Sequence, residues 1–314
     1  MSKSYDDMVD AAFRAKTAEE LLQAPPDALK GVSAGDAQHL KDAFGIDTVG
    51  DLAGDRFYER ARAIRAGTSV PAFDPGPPAD WEAFFAQAPV DHYRNHPSGR
   101  FRLEFGPVYY RGRLDGTARV IVVGQDPATN EILGQRIFVG RSGQRVQRVL
   151  AKLGVTRSYS MLNTFLFSVF GQVDAELRAI SLEAQVLAYR NASLDRLKAA
   201  NPIEAVITFG AGARHAVEHW PGRGDLPVFN LTHPAADDPF VIDSWNGALP
   251  GMLAAVQPDD GGQPDPTPYA DPLGDAVMVP IPRFDLPFGI PGFHGVDGGH
   301  STRDGNDKII WNAP

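Results

Sequence analysis

Four short apolar runs constrain this chain more than any other feature. They are Arg119 to Gly124 (RVIVVG), Tyr159 to Asn163 (YSMLN), Ala205 to Gly210 (AVITFG) and Pro227 to Leu231 (PVFNL). Runs of this length are too short for helices of a globular core and too uniformly apolar for half-exposed strands. They read as strands of a parallel sheet buried on both faces. The segments between them carry helical signals. Ser142 to Leu153 places Val146, Val149, Leu150 and Leu153 on one face and Arg145, Arg148 and Lys152 on the other. Residues 172–201 contain neither Gly nor Pro and suit one long helix or two consecutive ones. Strand-helix alternation of this kind predicts an α/β domain, a three-layer α/β/α sandwich around a short parallel sheet. Ligands of such sheets bind beyond the carboxyl ends of the strands, so the residues that follow each strand come first in a search for function.

The flanking regions differ from this pattern. Residues 1–70 predict a helical domain, with Leu29, Val32, Ala37, Leu40, Phe44, Ile46, Val49 and Leu52 punctuated by Gly31, Gly35, Gly45 and Gly50. Within it, Leu29 to Leu40 resembles a helix-hairpin-helix unit, with Ser33 where that hairpin usually has its second Gly; the segment reads either as such a DNA-phosphate grip or as plain helical packing. Pro71, Pro75, Pro77 and Pro78 mark a crossing into the α/β domain, assigned to residues 71–256. Residues 257–314 hold ten Pro and nine Gly and predict an acidic, partly irregular tail. Its apolar islands, Val277 to Ile281 and Phe284 to Phe293, place part of it along the domain surface.

Composition narrows the chemistry. The 314 residues carry a net charge of −9 and include no cysteine. Disulfides, an iron–sulfur cluster, a Cys-ligated zinc and a cysteine nucleophile are therefore excluded. No run is long and apolar enough to cross a bilayer, and the first twenty residues lack the pattern of a signal or transit peptide, so the expected location is the cytoplasm with no membrane partner. The acidity is uneven: residues 257–314 hold a net −6, whereas Ile132 to Val173 contains no acid but includes Arg136, Arg141, Arg145, Arg148, Lys152 and Arg157. That asymmetry predicts a positive face for a polyanion.

Three strand ends supply Gly124-Gln125-Asp126-Pro127, Asn163 and Thr232-His233-Pro234. Singly, these read as a turn, a cap and a core histidine. Together they bring a carboxylate, an amide and an imidazole to one rim. The first block resembles the opening motif of family 1 uracil-DNA glycosylases, and the ungapped continuation through Glu131, Phe138, Val139, Gly140, Gly143 and Gln144 is similar to the family 4 pattern. Met161-Leu162-Asn163-Thr164 and Thr232-His233-Pro234-Ala235 resemble the uracil-reading segment and the second motif of the same superfamily, over roughly residues 80–256. Two departures stand out: family 4 enzymes hold an iron–sulfur cluster through four cysteines, and Ala128 replaces the family 1 tyrosine that shields against the thymine methyl.

The resemblance implies monofunctional hydrolysis of the bond between deoxyribose and uracil, leaving an abasic site, with no metal or cofactor. The partners it implies are uracil-containing DNA and free uracil as product, acted on by a monomer. Asp126 would offset the oxocarbenium character of the sugar and orient water, while His233, if neutral, would donate to uracil O2 alongside the Gln125 N–H. Asn163 offers a donor and an acceptor that match O4 and N3–H of uracil, and Phe138 would stack on the extruded ring. Gly124 belongs to the same substrate-binding set. Glu131 is expected to close the pocket edge against thymine in place of the missing tyrosine. Arg141, Ser142, Gly143, Arg145, Arg148 and Thr232 are candidates for the DNA backbone.

Competing readings are a glycosylase-fold protein that binds modified DNA without turnover, or one that excises another deaminated base. His215, Glu218 and His219 also have the spacing of an inverted zinc site, His-x-x-Glu-His, which would make a zinc hydrolase. Gly210-x-Gly212 begins a nucleotide-binding pattern but has His215 where the third Gly belongs.

Overall fold

Residue-by-residue alternation inside each apolar run decides the architecture. In the computed structural model, which describes residues 5–6, 8–53, 73–171, 174–270, 272–273 and 278–288 and the backbone of 295–297 and 309–312, these runs form strands in one sheet. The strands are β1 (Arg111–Gly112), β2 (Val120–Gly124), β3 (Tyr159–Asn163), β4 (Ala205–Phe209) and β5 (Val228–Leu231). Their order is β1-β3-β2-β4-β5, parallel except for β1, which pairs antiparallel with β3. Every residue of β2, β3 and β4 is buried. Val120, Val122, Met161 and Ile207 point into one cluster with Val146, Val149, Leu150 and Trp245. Ile121, Val123, Leu162 and Val206 point into the other, with Leu194, Leu197, Val217 and Trp220. Two apolar faces on one sheet require two helical layers, so the fold is the expected α/β/α sandwich.

The chain divides into two units, Met1–Ala72 and Phe73–Ala313. The described part of the first is helical: α1 (Ala18–Leu22), α2 (Ala34–Phe44) and α3 (Val49–Ala53). Thr17 and Ser33 each start a helix through a capping box, with Glu20 and Asp36 returning the bond. Ser33 is thus a helix cap, which accounts for a serine where a hairpin would carry glycine. Residues 54–72, including Pro71, lie outside the described residues.

In the second unit, α4 (Ala79–Phe85), α5 (Val90–Arg94) and α6 (Thr129–Gly134) are short, and α7 (Arg141–Lys152) begins one residue before the expected start. The Gly-free span folds as two helices, α8 (Asp174–Ser181) and α9 (Ala184–Ala200), followed by α10 (Ala211–Glu218) and α11 (Asp238–Ala255). A two-residue antiparallel ladder, Phe101–Arg102 with Ser168–Val169, was not legible as strand in so short a run.

The expected positive face of α7 is corrected by what covers it. Arg145 and Lys152 are buried, and acids from distant segments meet the cations: Arg136 pairs with Asp74 at 2.8 Å, Arg145 with Asp238 at 3.1 Å, and Arg148 and Lys152 with Asp265 at 3.2 and 2.7 Å. Lys152 holds the Asp265 carboxyl down at about 2. The segment after Ala255 has little regular structure but packs on the domain. Tyr269 and Leu273 join the first core cluster, and Ile281 and Leu286 bury against Val139. A small parallel sheet of Ile281–Pro282, Ile309–Asn312 and Gly295–Asp297 also occurs there. Val277 and residues 289–294 lie outside the described residues.

Candidate active site

Parallel register brings the sequence-predicted residues to one level of the sheet. Gly124 is paired with Asn163 across β2 and β3, and Phe209 with Leu231 across β4 and β5. Beyond these ends the chain continues to Gln125-Asp126, Thr164, Gly210 and Thr232-His233. The ladder is extended by loop bonds, Thr164 N–H to Gly124 O at 2.9 Å and Phe165 N–H to Gln125 O at 2.8 Å. Glycine is required at the centre of this rim. A Cβ on Gly124 would lie 2.3 Å from Asn163 Oδ1 and 2.8 Å from Phe138 Cζ, so these two side chains close directly over the Gly124 backbone. Gly210, at φ +91°, lies against His233, and a Cβ on Gly212 would sit 2.0 Å from Gln125 Oε1. The Gly210-x-Gly212 pair therefore serves close packing of the site loops, which explains glycines without a nucleotide-binding pattern.

Asp126 is held by the short ladder that sequence reasoning missed. Its Oδ2 accepts the Val169 N–H at 3.0 Å and its Oδ1 accepts Gln125 Nε2 at 3.1 Å. Burial raises its pKa above the ordinary carboxylate value, and the two hydrogen bonds and Arg102 oppose that rise. A carboxylate has about four acceptor sites, so two filled positions leave capacity for a water.

His233 has a defined tautomer. Its Nδ1 accepts the Ala235 N–H at 3.1 Å, which puts the ring proton on Nε2. The residue keeps exposed surface, but desolvation of the ring in the crowded rim lowers its pKa, so at neutral pH it is a neutral donor through Nε2–H. Asn163 is 7% exposed, and its buried Nδ2 has no hydrogen-bond partner. A buried amide donor without a partner costs about 1–3 kcal/mol, a cost that a ligand carbonyl would remove.

Phe138 occupies an unusual backbone state for a large side chain, φ +54°. Three contacts hold it there. Glu131 accepts its N–H, Arg111 donates to its carbonyl oxygen, and Gly143 admits that carbonyl at a position where a Cβ would lie 1.7 Å away. The second Glu131 oxygen accepts the Ala128 N–H, and the carboxyl is 7% exposed. Burial pushes Glu131 up to about 7 against these bonds. Glu131 thus faces the loop backbone and acts on the site through Phe138; it does not stand at an open pocket edge. Arg111, which sequence reasoning missed, is fully buried and lies 3.2 Å from Asp285 of the C-terminal segment. Asp285 also binds Arg113 and accepts the Tyr159 hydroxyl at 2.5 Å.

The backbone candidates separate. Arg141 and Ser142 open α7 and, with Ala235 and Ala236, line a groove of about 590 Å³ beside His233. Arg145 donates to Pro234 O at 2.8 Å as well as pairing with Asp238, so it positions the loop after β5. Arg148 is committed to Asp265, and the Thr232 backbone is tied to Ser244 and Trp245. His215, Glu218 and His219 do not assemble a metal site: Glu218 pairs with Arg214 at 2.8 Å and His219 Nδ1 with the His215 carbonyl at 2.9 Å. A chain without cysteine has no thiolates for an iron–sulfur cluster, so that group does not fit.

Fold and rim together define an α/β/α protein with a candidate ligand site at the carboxyl ends of its parallel strands. Residues 112–236 match the model of the Uracil DNA glycosylase superfamily. A comparison with curated proteins gives no match.

Proposed function

We propose that this protein hydrolyses the N-glycosidic bond of deoxyuridine in DNA, releasing uracil and leaving an abasic site for base excision repair. The observation that carries the reading is the partnerless, buried Asn163 Nδ2 beside Phe138 and Gly124, at the rim that also bears Asp126 and an Nε2–H of His233. In this mechanism Asn163 donates to uracil O4 and accepts from N3–H, a pattern that cytosine reverses. Phe138 stacks on the ring in a plane fixed by Glu131 and Arg111. As the bond lengthens, negative charge grows on uracil O2, where the His233 Nε2–H and the Gln125 N–H stabilise it. Positive charge grows on the sugar opposite Asp126, which also orients the attacking water; its fixed bonds to Val169 and Gln125 hold the carboxylate in place before reaction. No general acid is needed, because uracil leaves as an anion. Arg141 and Ser142, in the groove that Pro234 to Asp238 also line, would meet the DNA backbone.

The test is excision from uracil-containing single strands and U:G duplexes, read as alkali-labile cleavage, with T:G duplexes as the specificity arm. Turnover on uracil and none on thymine is expected. Retained DNA binding without cleavage of any uracil substrate would overturn the catalytic reading, and efficient thymine release would redirect it to mismatch repair.

A further inference from the structure

Away from the strand-end rim, three side chains from two segments meet around one point. His92 lies on α5, His96 follows four residues later just past its end, and Glu183 is the residue that caps the start of α9. The chain turns out of the helix at Asn95, and both imidazoles reach the same carboxylate. His92 Nε2 is 2.8 Å from Glu183 Oε2, and His96 Nε2 is 3.1 Å from both Glu183 oxygens. All the ligand atoms lie within 4.8 Å of one another. The carboxylate has no guanidinium or ammonium partner among the described residues; its side-chain contacts are the two imidazoles. The other nitrogen of His96, Nδ1, is 2.6 Å from Ser98 Oγ.

We propose that His92, His96 and Glu183 form a binding site for a divalent transition metal, with zinc as the fitting ion and water completing its shell. Two ligands each about 2.0–2.1 Å from zinc stand roughly 3 Å apart at ordinary coordination angles, the separation already present between each imidazole and Glu183. The donor set of two imidazoles and one carboxylate is a recurrent one for zinc and other late first-row ions. Metal binding needs the Nε2 lone pairs. His96 Nδ1 also accepts the Ser98 N–H at 3.2 Å, which puts the ring proton on Nε2 toward Glu183. With zinc on Nε2 the ring proton sits on Nδ1, which then donates to Ser98 Oγ and gives up the bond from the Ser98 N–H; such an outer hydrogen bond fixes the ring of a metal-bound histidine. The ion ties α5 to the turn between α8 and α9. His96 packs edge-on to Phe101 at 5.6 Å, and Phe101 pairs with Val169, the residue whose N–H holds Asp126. The site is structural and supplies no group to the reaction.

The experiment uses the full chain, freed of any affinity tag and stripped with chelator, titrated with zinc chloride by calorimetry. One equivalent is expected to bind, with affinity lowered at least about tenfold in His92→Ala and in Glu183→Gln, and unchanged in the double variant His215→Ala/His219→Ala. X-ray absorption of the zinc-loaded wild type needs no variant. It should show nitrogen and oxygen ligands at about 2.0–2.1 Å with the multiple scattering of two imidazoles. Absence of stoichiometric binding, a spectrum without two imidazoles, or binding lost only with His215 and His219 would overturn the assignment.

Discussion

Asp285→Asn removes one negative charge from a fully buried position and leaves two guanidinium groups without it. Asp285 and Arg111 are both at 0% exposure, and Arg113 is nearly as deep. Exposed ion pairs contribute about 0–1 kcal/mol, but deleting one member of a buried pair costs about 3–5 kcal/mol, because the remaining charge loses its compensation. The asparagine keeps one acceptor and turns its NH₂ toward positive neighbours, so the upper part of that range applies. For a domain of this size each kcal/mol moves the thermal midpoint by about 2–4 °C, which gives a fall of roughly 10–20 °C. Urea unfolding followed by tryptophan fluorescence measures the change directly, since Trp81, Trp220 and Trp245 are all buried in the same unit. At temperatures where the variant is folded, uracil excision should also slow, because Arg111 anchors the carbonyl of Phe138. A stability loss below about 1 kcal/mol would refute the reasoning, since the cluster would then behave as a solvated surface pair.

Asp126→Asn should slow single-turnover excision by at least about a hundredfold while DNA binding persists, the scale of a lost electrostatic group. Because burial raises the Asp126 pKa, wild-type excision should lose activity on the acid side with a midpoint above the ordinary 3.8; a flat profile through that range contradicts its role as a carboxylate. His233→Ala and Asn163→Ala should each reduce excision, the first by losing the donor to O2 and the second by losing the base edge; two fully active variants place the chemistry elsewhere. Glu131 titrates near 7 in the folded chain against 4.5 in the unfolded one, so the native state holds the extra proton between these values and stability falls as pH rises through them. The unfolding free energy of Glu131→Gln relative to wild type should therefore increase across that interval, and a pH-independent difference would rule this out. Truncation after residue 257 should yield insoluble or unfolded protein, because it removes Asp259, Asp265, Tyr269, Leu273 and Asp285; a soluble, cooperatively melting fragment would contradict the packing described.

The sheet was legible because burial on both faces writes itself into sequence as uninterrupted apolar runs, and β3 spans Tyr159–Asn163 as read. The rim was legible for a related reason: parallel strands in register deliver whatever follows them to one edge. Charge partners were not legible. The acid-free run from Ile132 to Val173 reads as a positive face, but Asp74, Asp238 and Asp265 come to it from elsewhere in the chain, and ion pairing across such separations leaves no local periodicity. The same holds for Arg111, which has no motif around it and owes its importance to Phe138 and Asp285. Val169 serves Asp126 through a backbone N–H, a group that every non-proline residue carries and that no sequence pattern can single out. Glu131, expected on the loop at the pocket edge, lies in α6 and turns its oxygens to the Ala128 and Phe138 N–H groups, since spacing does not say whether a carboxyl turns to ligand or to its own backbone.

Asp259 accepts the N–H groups of Thr156, Arg157 and Ser158 just before β3 and pairs with Arg119 just before β2, contacts that hold its carboxyl down at about 2. β3 and β2 thus receive their terminal anchor from a residue made 101 to 140 positions later. Synthesis from the N-terminus therefore delivers Asp259 and Asp285, the acids that anchor Arg119, Arg111 and Arg113, only after all five strands of the sheet have been made. Long-range closure of this kind is slow and exposes apolar surface in the interval. Nascent chains arrested near residue 256 should therefore be sensitive to protease and bound by chaperones, and protection should appear only once the segment through Leu286 has emerged.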